Sequence, residues 1–345
     1  MPATMKDVAR LANVSTSTVS RVLAGHPAIS AETARRVCDA MAALSYQPNQ
    51  IARSLSNQTT RTIALLMPDP SASPLMNAFF VSAIRGVMTY ARKNGYYLLL
   101  TYPENNDTET LVRDLVGSRR TDGVILTTVI KDDPALAFLI AQNHPHVIIG
   151  HPYDDQNSLW VDNDNQAIVY EVTSRLIQQG CRNIAFLSGA DEFRVTLDRQ
   201  QGYLNALRDH NIPVNPDLIH RSKFIETLAA EATREILKTC LPDAVIATDD
   251  TLAVGVEKAL REVHYEHNVA VVGFNNTLIA QFVRPALSSV EINAEQLGYY
   301  AAKLLINHLD GIDLHIRHYL IDAHFIERES SHPKARLLTV PRGCF

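Results

Sequence analysis

The sequence lacks several features that define large classes of proteins. No run of about 18 uncharged apolar residues occurs, so a membrane-spanning helix is not expected. The four cysteines lie far apart, without a Cys-x-x-Cys pair, which argues against a disulfide framework or a zinc site. We expect Cys38, Cys181 and Cys240 to be reduced and mostly buried. The amino terminus lacks the apolar core of a signal peptide, which predicts a cytoplasmic protein.

Motifs that carry catalytic chemistry are also missing. The chain contains no G-x-S-x-G, no phosphate-binding G-x-x-x-x-G-K-[ST] loop and no G-x-G-x-x-G. The thirteen histidines are scattered, and we expect pairs such as His144 and His146 on the surface. Because no Ser/His/Asp set can be assigned, the sequence does not predict an enzyme, and it implies no cofactor and no metal.

Composition and charge indicate a globular protein of two or three domains. Of the 345 residues, 46% are hydrophobic and 20% are charged. Residues 1–61 contain seven basic and three acidic side chains, whereas the rest of the chain contains 25 basic and 34 acidic ones. A basic head on an acidic body is typical of a protein whose head alone touches nucleic-acid phosphates.

Residues 1–46 have the pattern of three short helices. Apolar residues recur at helical spacing in Met5–Leu11, in Thr16–Leu23 and from Ser30 to Tyr46. The residues expected to cap these helices are Thr4 (with Asp7 completing a capping box), Ser15 and Ser30. Two short helices joined by a tight turn, with a third bracing helix, predict a helix-turn-helix DNA-binding domain.

The second helix of such a domain enters the major groove, and its first residues meet the base edges. In this chain those residues are Thr16, Ser17 and Arg21, of which Arg21 can reach a guanine or a phosphate. The hydroxyls that can reach phosphate oxygens belong to Thr4, Ser15, Thr18, Ser20, Ser30 and Thr33. The alternative is a Ser/Thr-rich helix whose hydroxyls serve only as ordinary caps.

From Thr62 onward, apolar runs alternate with amphipathic helices, which indicates parallel sheets with crossover helices. The predicted strands are TIALLMP, YYLLLTYP, DGVILTTV, HVIIGH, NIAFLSG, DAVIATDD and VAVVGFNN. The predicted helices are Phe79–Asn94, Glu109–Ser118, PALAFLIAQN, Arg199–Asn211, Glu231–Thr239 and Leu252–Val263. Two doubly wound lobes follow, and ligands in such folds bind at the carboxyl ends of the strands.

The segments TMKDVARLANVSTSTVSRVL, ISAETARRV, LSYQPNQIARSL and TRTIALLMPD resemble the lactose-repressor (LacI/GalR) family of bacterial regulators. The resemblance runs from about Thr4 to Glu329. It implies a hinge helix within residues 47–61, in which Leu55 wedges into the minor groove, Ala52 packs beside it and Asn49 contacts DNA. The alternative is a linker with a stray leucine.

The resemblance also implies a fold and a division of the chain. The fold is α/β: a three-helix helix-turn-helix domain and hinge helix, then a two-lobed, periplasmic-binding-protein-like body of doubly wound parallel sheets. Crossings between the lobes are expected near Val161–Asp164, Val290–Asn293 and Ile321–His324. The N-lobe is then residues 62–161 plus 292–322, the C-lobe is residues 162–291 plus 323–330, and residues 331–345 form a flexible tail.

Polar residues at the strand ends are the candidate ligand contacts. By family position, Arg199, Asp249 and Asn275 match residues that hold a small-molecule effector. The further candidates on strand-end loops are Asp69, Thr127, His151 and Asp162, and Phe79, Phe80, Phe224 and Trp160 offer an apolar face for a sugar ring. The alternative is that strand-end Asp and Asn residues cap the following helices, which we expect of Asp250.

The ligand class follows from a further resemblance. VDNDN at 161–165, VVGFNN, PALSSVEIN and QLG resemble the maltose and glucoside regulators of the family. The usual pattern has Asp where this chain has Asn275, and the lost charge favours a neutral sugar, an α-glucoside such as maltose first.

The predicted protein is a repressor of carbohydrate-utilisation genes that a sugar releases from a palindromic operator, and it is nucleoid-associated when bound. It is a homodimer whose interface includes Phe79–Asn94 and Leu252–Val263. Residues 330–345 have no heptads, so we expect no coiled-coil tetramer. Three alternatives stay open: a co-repressor ligand in place of an inducer, a sugar-binding protein without DNA function, and a sugar-metabolising enzyme.

Overall fold

The computed structural model describes residues 3–23, 26–46, 59–67, 77–154, 158–266 and 268–332. Two compact units can be distinguished, Met1–Thr60 and Arg61–Phe345, and each is described by itself. The predicted DNA contacts Asn49, Ala52 and Leu55, the candidate ligand contact Asp69 and most of the predicted tail lie outside the described residues.

The first unit is the predicted three-helix domain. Its helices are α1 (Met5–Leu11), α2 (Thr16–Leu23) and α3 (Ala31–Ala43). Local sequence explains their starts: Thr4 and Asp7 form a complete capping box, and the Ser15 and Ser30 hydroxyls accept the amides of Thr18 and Thr33. The third helix ends at Ala43 rather than at Tyr46, because Ser45 adopts a left-handed conformation with φ 48°.

A small apolar core holds these helices together. Its fully buried members are Val8, Ala9, Ala12, Val19, Val37 and Ala40. The expectation that Cys38 is buried was wrong. Cys38 follows the core residue Val37 on α3 and is exposed, because the next buried position on this helix is Ala40.

One six-stranded sheet forms the N-lobe, with all of its strands parallel. Its strands are β1 (Thr62–Leu66), β2 (Tyr97–Thr101), β3 (Gly123–Leu126), β4 (His146–Ile149), β5 (Leu159–Asp162) and β11 (His318–Leu320), in the order β11-β5-β4-β3-β1-β2. Its helices are α4 (Ala78–Lys93), α5 (Thr108–Gly117), α6 (Pro134–Ala141) and α12 (Ala294–Leu309). The four central strands β1, β3, β4 and β5 are mostly apolar and almost entirely buried, because helices cover both faces of the sheet.

A second six-stranded sheet forms the C-lobe. Its strands are β6 (Ile184–Ser188), β7 (Ile219–Arg221), β8 (Ala244–Ala247), β9 (Ala270–Phe274), β10 (Ser288–Glu291) and β12 (His324–Ile326), in the order β12-β10-β9-β8-β6-β7. Its helices are α7 (Asn165–Gln178), α8 (Arg194–Asp209), α9 (Glu226–Thr239), α10 (Asp250–Glu262) and α11 (Leu278–Phe282). The predicted doubly wound parallel sheets are confirmed, and at one edge of this sheet β12 runs antiparallel to β10.

Within the described residues, the chain passes from one sheet to the other three times. It does so after β5, after β10 and after β11, at residues 163–164, 292–293 and 321–323. The predicted crossings include these residues. The lobe limits drawn from the resemblance stay a prediction.

Two C-lobe helices begin earlier than expected. Helix α8 starts at Arg194 instead of Arg199, because Arg194 pairs with Asp198 one turn later and Thr196 is buried. Helix α9 starts at Glu226 instead of Glu231, since Ala229 and Ala230 pack into the core and favour the helix. Arg199 therefore lies in the second turn of α8, not at its start.

His146 was expected on the surface and is buried. It begins β4, and its ring nitrogens contact the His144 carbonyl at 2.9 Å and the Ser158 hydroxyl at 3.0 Å. Burial lowers the pKa of His146 and of His144, which keeps both rings neutral. These histidines belong to the packing at the amino-terminal end of β4, which is an interior strand.

Glu257 on α10 is a buried acid. Its side chain is 2% exposed, and neither carboxylate oxygen has a hydrogen-bond partner among the described residues. Desolvation raises its pKa to about 7, the Arg261 guanidinium opposes that rise, and the Glu266 carboxylate adds to it. The folded protein thus holds a proton on Glu257 at pH values where the unfolded chain has lost it.

We predict that Glu257→Gln removes part of the pH dependence of stability. The wild-type free energy of unfolding falls as pH rises from about 4.5 to about 7, because only the unfolded chain releases the Glu257 proton in that window. Since Gln cannot ionise, the variant should gain on the wild type by up to ~3 kcal/mol across this range. Urea unfolding at pH 4.5, 6 and 7.5 measures the difference.

Glu262→Gln is the matched control on the same helix. Glu262 is exposed and accepts two hydrogen bonds from Arg234, which lower its pKa. Its replacement should not flatten the fall between pH 4.5 and 7. Parallel pH curves for wild type and Glu257→Gln would contradict the assignment.

Candidate functional site

Helix α2 of the first unit presents a polar face to solvent. Thr16, Ser17, Ser20 and Arg21 are all exposed, and their spacing along the helix places them on one face. Val19 points the other way and is fully buried in the core. The structure thus brings the predicted base-contacting residues Thr16, Ser17 and Arg21 together on one accessible surface.

Most of the hydroxyls predicted to meet phosphates already have partners within the domain. The Ser15 hydroxyl lies 2.7 Å from the Ser17 hydroxyl and 2.9 Å from that of Thr18. Ser30 donates to the Thr33 hydroxyl at 2.9 Å. The capping alternative therefore holds for Ser15 and Ser30, as it does for Thr4. A hydroxyl oxygen can accept and donate at once, so phosphate contact stays a prediction for the group.

Charge on this surface is available for a partner. Arg21 is exposed and forms no ion pair within the described part of the chain. Arg10 on α1, in contrast, binds the Asp7 carboxylate at 2.6 Å. Arg35 and Arg36 on α3 are also exposed. An unpaired guanidinium beside small hydroxyl residues is suited to a guanine edge or a phosphate.

In the body, the carboxyl ends of the strands meet around a buried arginine. Arg199 is 8% exposed, and its Nε donates to the Asn165 Oδ1 at 3.0 Å. Its Nη1 donates to the Thr248 carbonyl at 2.8 Å, just after β8. The guanidinium also lies over the Phe274 ring, 4.5 Å from its centre. One cation thereby joins the start of α7 to the ends of β8 and β9.

Two buried carboxylates balance this cation. Desolvation raises the pKa of Asp162 to about 6, while the Asn163 amide and the Arg199 charge hold it down. Desolvation likewise raises the pKa of Asp249 and lowers that of Arg199 to about 10. The arginine stays charged at neutral pH, so the site holds one positive charge between two acidic groups.

The Asp249 carboxylate accepts hydrogen bonds from three residues. Its Oδ1 accepts the Thr251 amide at 2.7 Å and caps α10. Its Oδ2 accepts the Asn275 side-chain amide at 2.8 Å and the Asn77 side-chain amide at 3.2 Å. The expectation that Asp250 caps this helix was wrong. Asp250 is the first helical residue, and its carboxylate accepts bonds from Thr277 and Ser289 instead.

Asn77 was not among the predicted site residues. Its side-chain Oδ1 caps α4 by accepting the Phe79 amide at 2.9 Å, and its Nδ2 donates to Asp249 in the other lobe. Asparagine directly before an amphipathic helix is a recognisable cap signal. The partner 172 residues away is not visible in that signal.

Three further candidates, Thr127, Phe79 and Phe224, make other contacts in the body. The Thr127 hydroxyl donates to the Leu66 carbonyl at 2.7 Å and joins the ends of β3 and β1. Phe79 packs edge-on against Phe80 with ring centres 5.0 Å apart. Phe224 covers Gly189 beyond β6.

We expected Trp160 to offer an open apolar face, but other rings cover it. It is 6% exposed, the His318 ring stacks on it and the His151 ring meets it edge-on. The described residues contain no group of three His, Cys, Asp or Glu side chains suited to a metal ion. In the same part of the chain, no helix is long and apolar enough to cross a membrane.

We predict that Arg199→Ala destabilises the body strongly. The substitution leaves Asp162 and Asp249 buried without their counter-charge, which should lower the free energy of unfolding by ~3–5 kcal/mol. Arg208→Ala on the same helix removes an exposed arginine and should change stability by less than ~0.5 kcal/mol. Denaturant unfolding of both variants measures this, and equal small effects would show that Arg199 does not hold the cluster.

Comparisons with known proteins agree with this geometry. Residues 4–49 match the family described as "Bacterial regulatory proteins, lacI family", and residues 173–331 match "Periplasmic binding protein-like domain". The HTH-type transcriptional regulator MalR of Staphylococcus xylosus is 30% identical over 331 residues, covering 95% of this chain and 98% of MalR.

Two solved structures share the architecture. The transcriptional regulator CelR–cellobiose complex has a TM-score of 0.75 and 29% identity, covering 95% of this chain and 99% of its own. The lac repressor dimer bound to operator and an anti-inducer has a TM-score of 0.82 at 22% identity, covering 96% and 99%, which shows the fold alone. These relatives are regulators and not enzymes, and the chain belongs to the lacI family of DNA-binding transcription regulators.

Proposed function

We propose that this regulator is a repressor of carbohydrate-utilisation genes, released from a palindromic operator when a neutral sugar occupies the interlobe cleft. The observation that carries the proposal is the cluster of Arg199, Asp249 and Asn275 at the strand ends, with Asn77 reaching it from the other lobe. A ligand bound there touches both lobes, so its binding energy depends on how the lobes are arranged.

The chemistry of the cluster favours a sugar. Carboxylates, amides and a guanidinium exchange hydrogen bonds readily with hydroxyl groups, and Asn275 adds no charge. The relative CelR was solved with cellobiose, and the chain resembles the maltose and glucoside regulators. We therefore propose a glucoside as ligand, with maltose as the first choice and cellobiose as the second.

The proposed contacts follow the predictions made from the sequence. The DNA-contacting set is Thr4, Ser15, Thr16, Ser17, Thr18, Ser20, Arg21, Ser30, Thr33, Asn49, Ala52 and Leu55. The effector-contacting set is Asp69, Phe79, Thr127, His151, Asp162, Arg199, Phe224, Asp249 and Asn275, to which the geometry adds Asn77. Residues 1–46 would read DNA, residues 47–61 would form the hinge and residues 62–330 would sense the ligand.

A homodimer is the proposed working unit, because a palindrome presents two equivalent half-sites. The body carries exposed apolar side chains suited to self-association. On α4 these are Val81 and Met88, and on α11 they are Leu278, Ile279 and Phe282, of which Phe282 is 70% exposed. We therefore propose that α11 joins α4 and the predicted Leu252–Val263 segment in the interface.

We predict that Arg21→Ala weakens operator binding. Loss of a bidentate base contact should cost ~1–3 kcal/mol and relax specificity at one base pair of each half-site. The operator is first identified by selection from random DNA, and binding of wild type and variant is then compared by gel shift at several salt concentrations.

Arg10→Ala is the control, because it removes the same charge from a residue already bound to Asp7. A uniform loss across all sequences, with a salt slope reduced by about 1, would assign Arg21 to a phosphate instead. Equal binding to a palindrome and to an isolated half-site would overturn the dimeric mode.

We predict that a glucoside stabilises the body and weakens operator binding. At 100 times its Kd, a ligand that binds only the folded protein adds about 2.7 kcal/mol to the free energy of unfolding. A thermal-shift panel of maltose, cellobiose, ribose and adenine identifies the ligand class. Asn275→Gly should abolish the shift without backbone strain, since Asn275 has φ 89°.

Asn205→Ala, at a surface position on α8, should leave the shift unchanged. If the stabilising ligand tightened operator binding, the protein would be controlled by a co-repressor. A thermal shift with adenine alone would reject the sugar proposal. It would not affect the assignment of the chain as a DNA-binding regulator.

A further inference from the structure

The three segments that connect the lobes lie side by side. Residues 163–164, 292–293 and 321–323 carry the chain between the sheets, and Ile292 and Ile321 are almost fully buried. The Ile321 amide donates to the Asp162 carbonyl at 2.8 Å, which pairs the third segment with the end of β5. Any change in the angle between the lobes must be absorbed by these few residues.

One side chain joins all three segments. Asn163 belongs to the first, and its Nδ2 donates to the Ile292 carbonyl of the second at 3.0 Å and to the Ile321 carbonyl of the third at 2.8 Å. Asn163 is 5% exposed, so these bonds are shielded from water. The two hydrogens of the Asn163 amide group thus bind the other two crossing segments.

Asn163 is also connected to the effector cluster. Its backbone carbonyl accepts the Asn165 backbone amide at 2.9 Å. The Asn165 side chain accepts a bond from Arg199, which in turn donates to the Thr248 carbonyl beside Asp249. An unbroken series of hydrogen bonds thus runs from the crossing segments to the strand ends where the ligand is proposed to bind.

We infer that Asn163 is a positioning residue of the allosteric switch: its amide group ties the three crossing segments into one hinge. With the tie in place, the segments turn together and the two lobes move as rigid bodies. Without it, each segment flexes separately, and a change at the cleft is lost before it reaches the rest of the N-lobe. The regulatory part of this inference rests on the proposed function, whereas the hinge itself does not.

The first test needs no ligand. Spin labels are attached through p-acetylphenylalanine at the exposed positions Thr110 in the N-lobe and Glu235 in the C-lobe, which leaves the native cysteines untouched. Labelled chain is diluted with unlabelled chain, and pulsed electron resonance gives the distribution of interlobe distances. Asn163→Ala should broaden this distribution, and Asn163→Ser provides a milder variant if the first does not fold.

Asn293→Gly is the matched control. The Asn293 side chain donates to the Asp322 carbonyl at 2.8 Å and so joins the second and third segments only. Glycine tolerates the φ of 53° at this position. The control should keep the narrow wild-type distribution. Unchanged widths in both Asn163 variants, or equal broadening in Asn293→Gly, would overturn the inference.

The second test measures coupling. The operator Kd is measured with and without saturating maltose, then cellobiose, and the ratio of the two values is the coupling factor. Coupling factors in allosteric proteins are about 5–150. In Asn163→Ala the coupling factor should fall to within about twofold of 1, while the variant still binds the sugar. A lowered Tm with an unchanged factor would show that Asn163 is only structural. A wild-type factor of 1 for both sugars would reject the sugar proposal, and the distance distributions then decide on the hinge alone.

Discussion

A guanidinium buried in the body is the interaction on which the cleft depends. Removing such an ion from water costs several kcal/mol unless counter-charges and hydrogen-bond acceptors surround it. Asp162 and Asp249 supply the charge, and Asn165 and the Thr248 carbonyl supply the acceptors. Because these groups lie at the ends of β5 and β8 and at the starts of α7 and α10, the cation fixes four elements relative to one another.

The hydrogen bonds within this cluster also limit how a ligand can bind to Asp249. Asp249 already accepts bonds from Asn275, Thr251 and Asn77, so a hydroxyl that donates to it competes with one of them. The Thr251 bond caps a helix, and Asn275 belongs to the same lobe as Asp249. Asn77 reaches across from the N-lobe over the longest of the three distances. Under the proposed function, exchange of the Asn77 bond for a ligand hydroxyl would couple ligand entry to the spacing of the lobes.

Short-range chemistry explains which parts of this arrangement the sequence could predict. The capping box of Thr4 and Asp7 lies within four residues, and the start of α1 was predicted correctly. The buried strands are continuous apolar runs, so their places were also predictable. The start of α8 was missed because no side chain caps it, and tertiary burial of Thr196 and Arg199 extends it instead.

Residues whose role depends on distant partners were beyond the sequence. Asn77 meets Asp249 across 172 residues, and Asn163 meets Ile321 across 158. Neither asparagine has a local pattern that distinguishes it from an ordinary turn or cap. Asp249 and Asp250 show the same limit within one dipeptide. Both are carboxylates at the start of α10, and only the positions of Thr277 and Ser289 decide which of them caps it.

The amide at Asn275 limits the negative charge around Arg199. An aspartate at this position would place a third carboxylate beside Asp249, against a single guanidinium. The amide instead donates to Asp249 at 2.8 Å and stabilises its ionised form, despite the burial that raises its pKa. With Asn275, the cluster holds two acids, one base and amide groups that bond in both directions. A further anion would be repelled and a cation would compete with Arg199, whereas a ligand with several neutral hydroxyls needs no change in the charge balance.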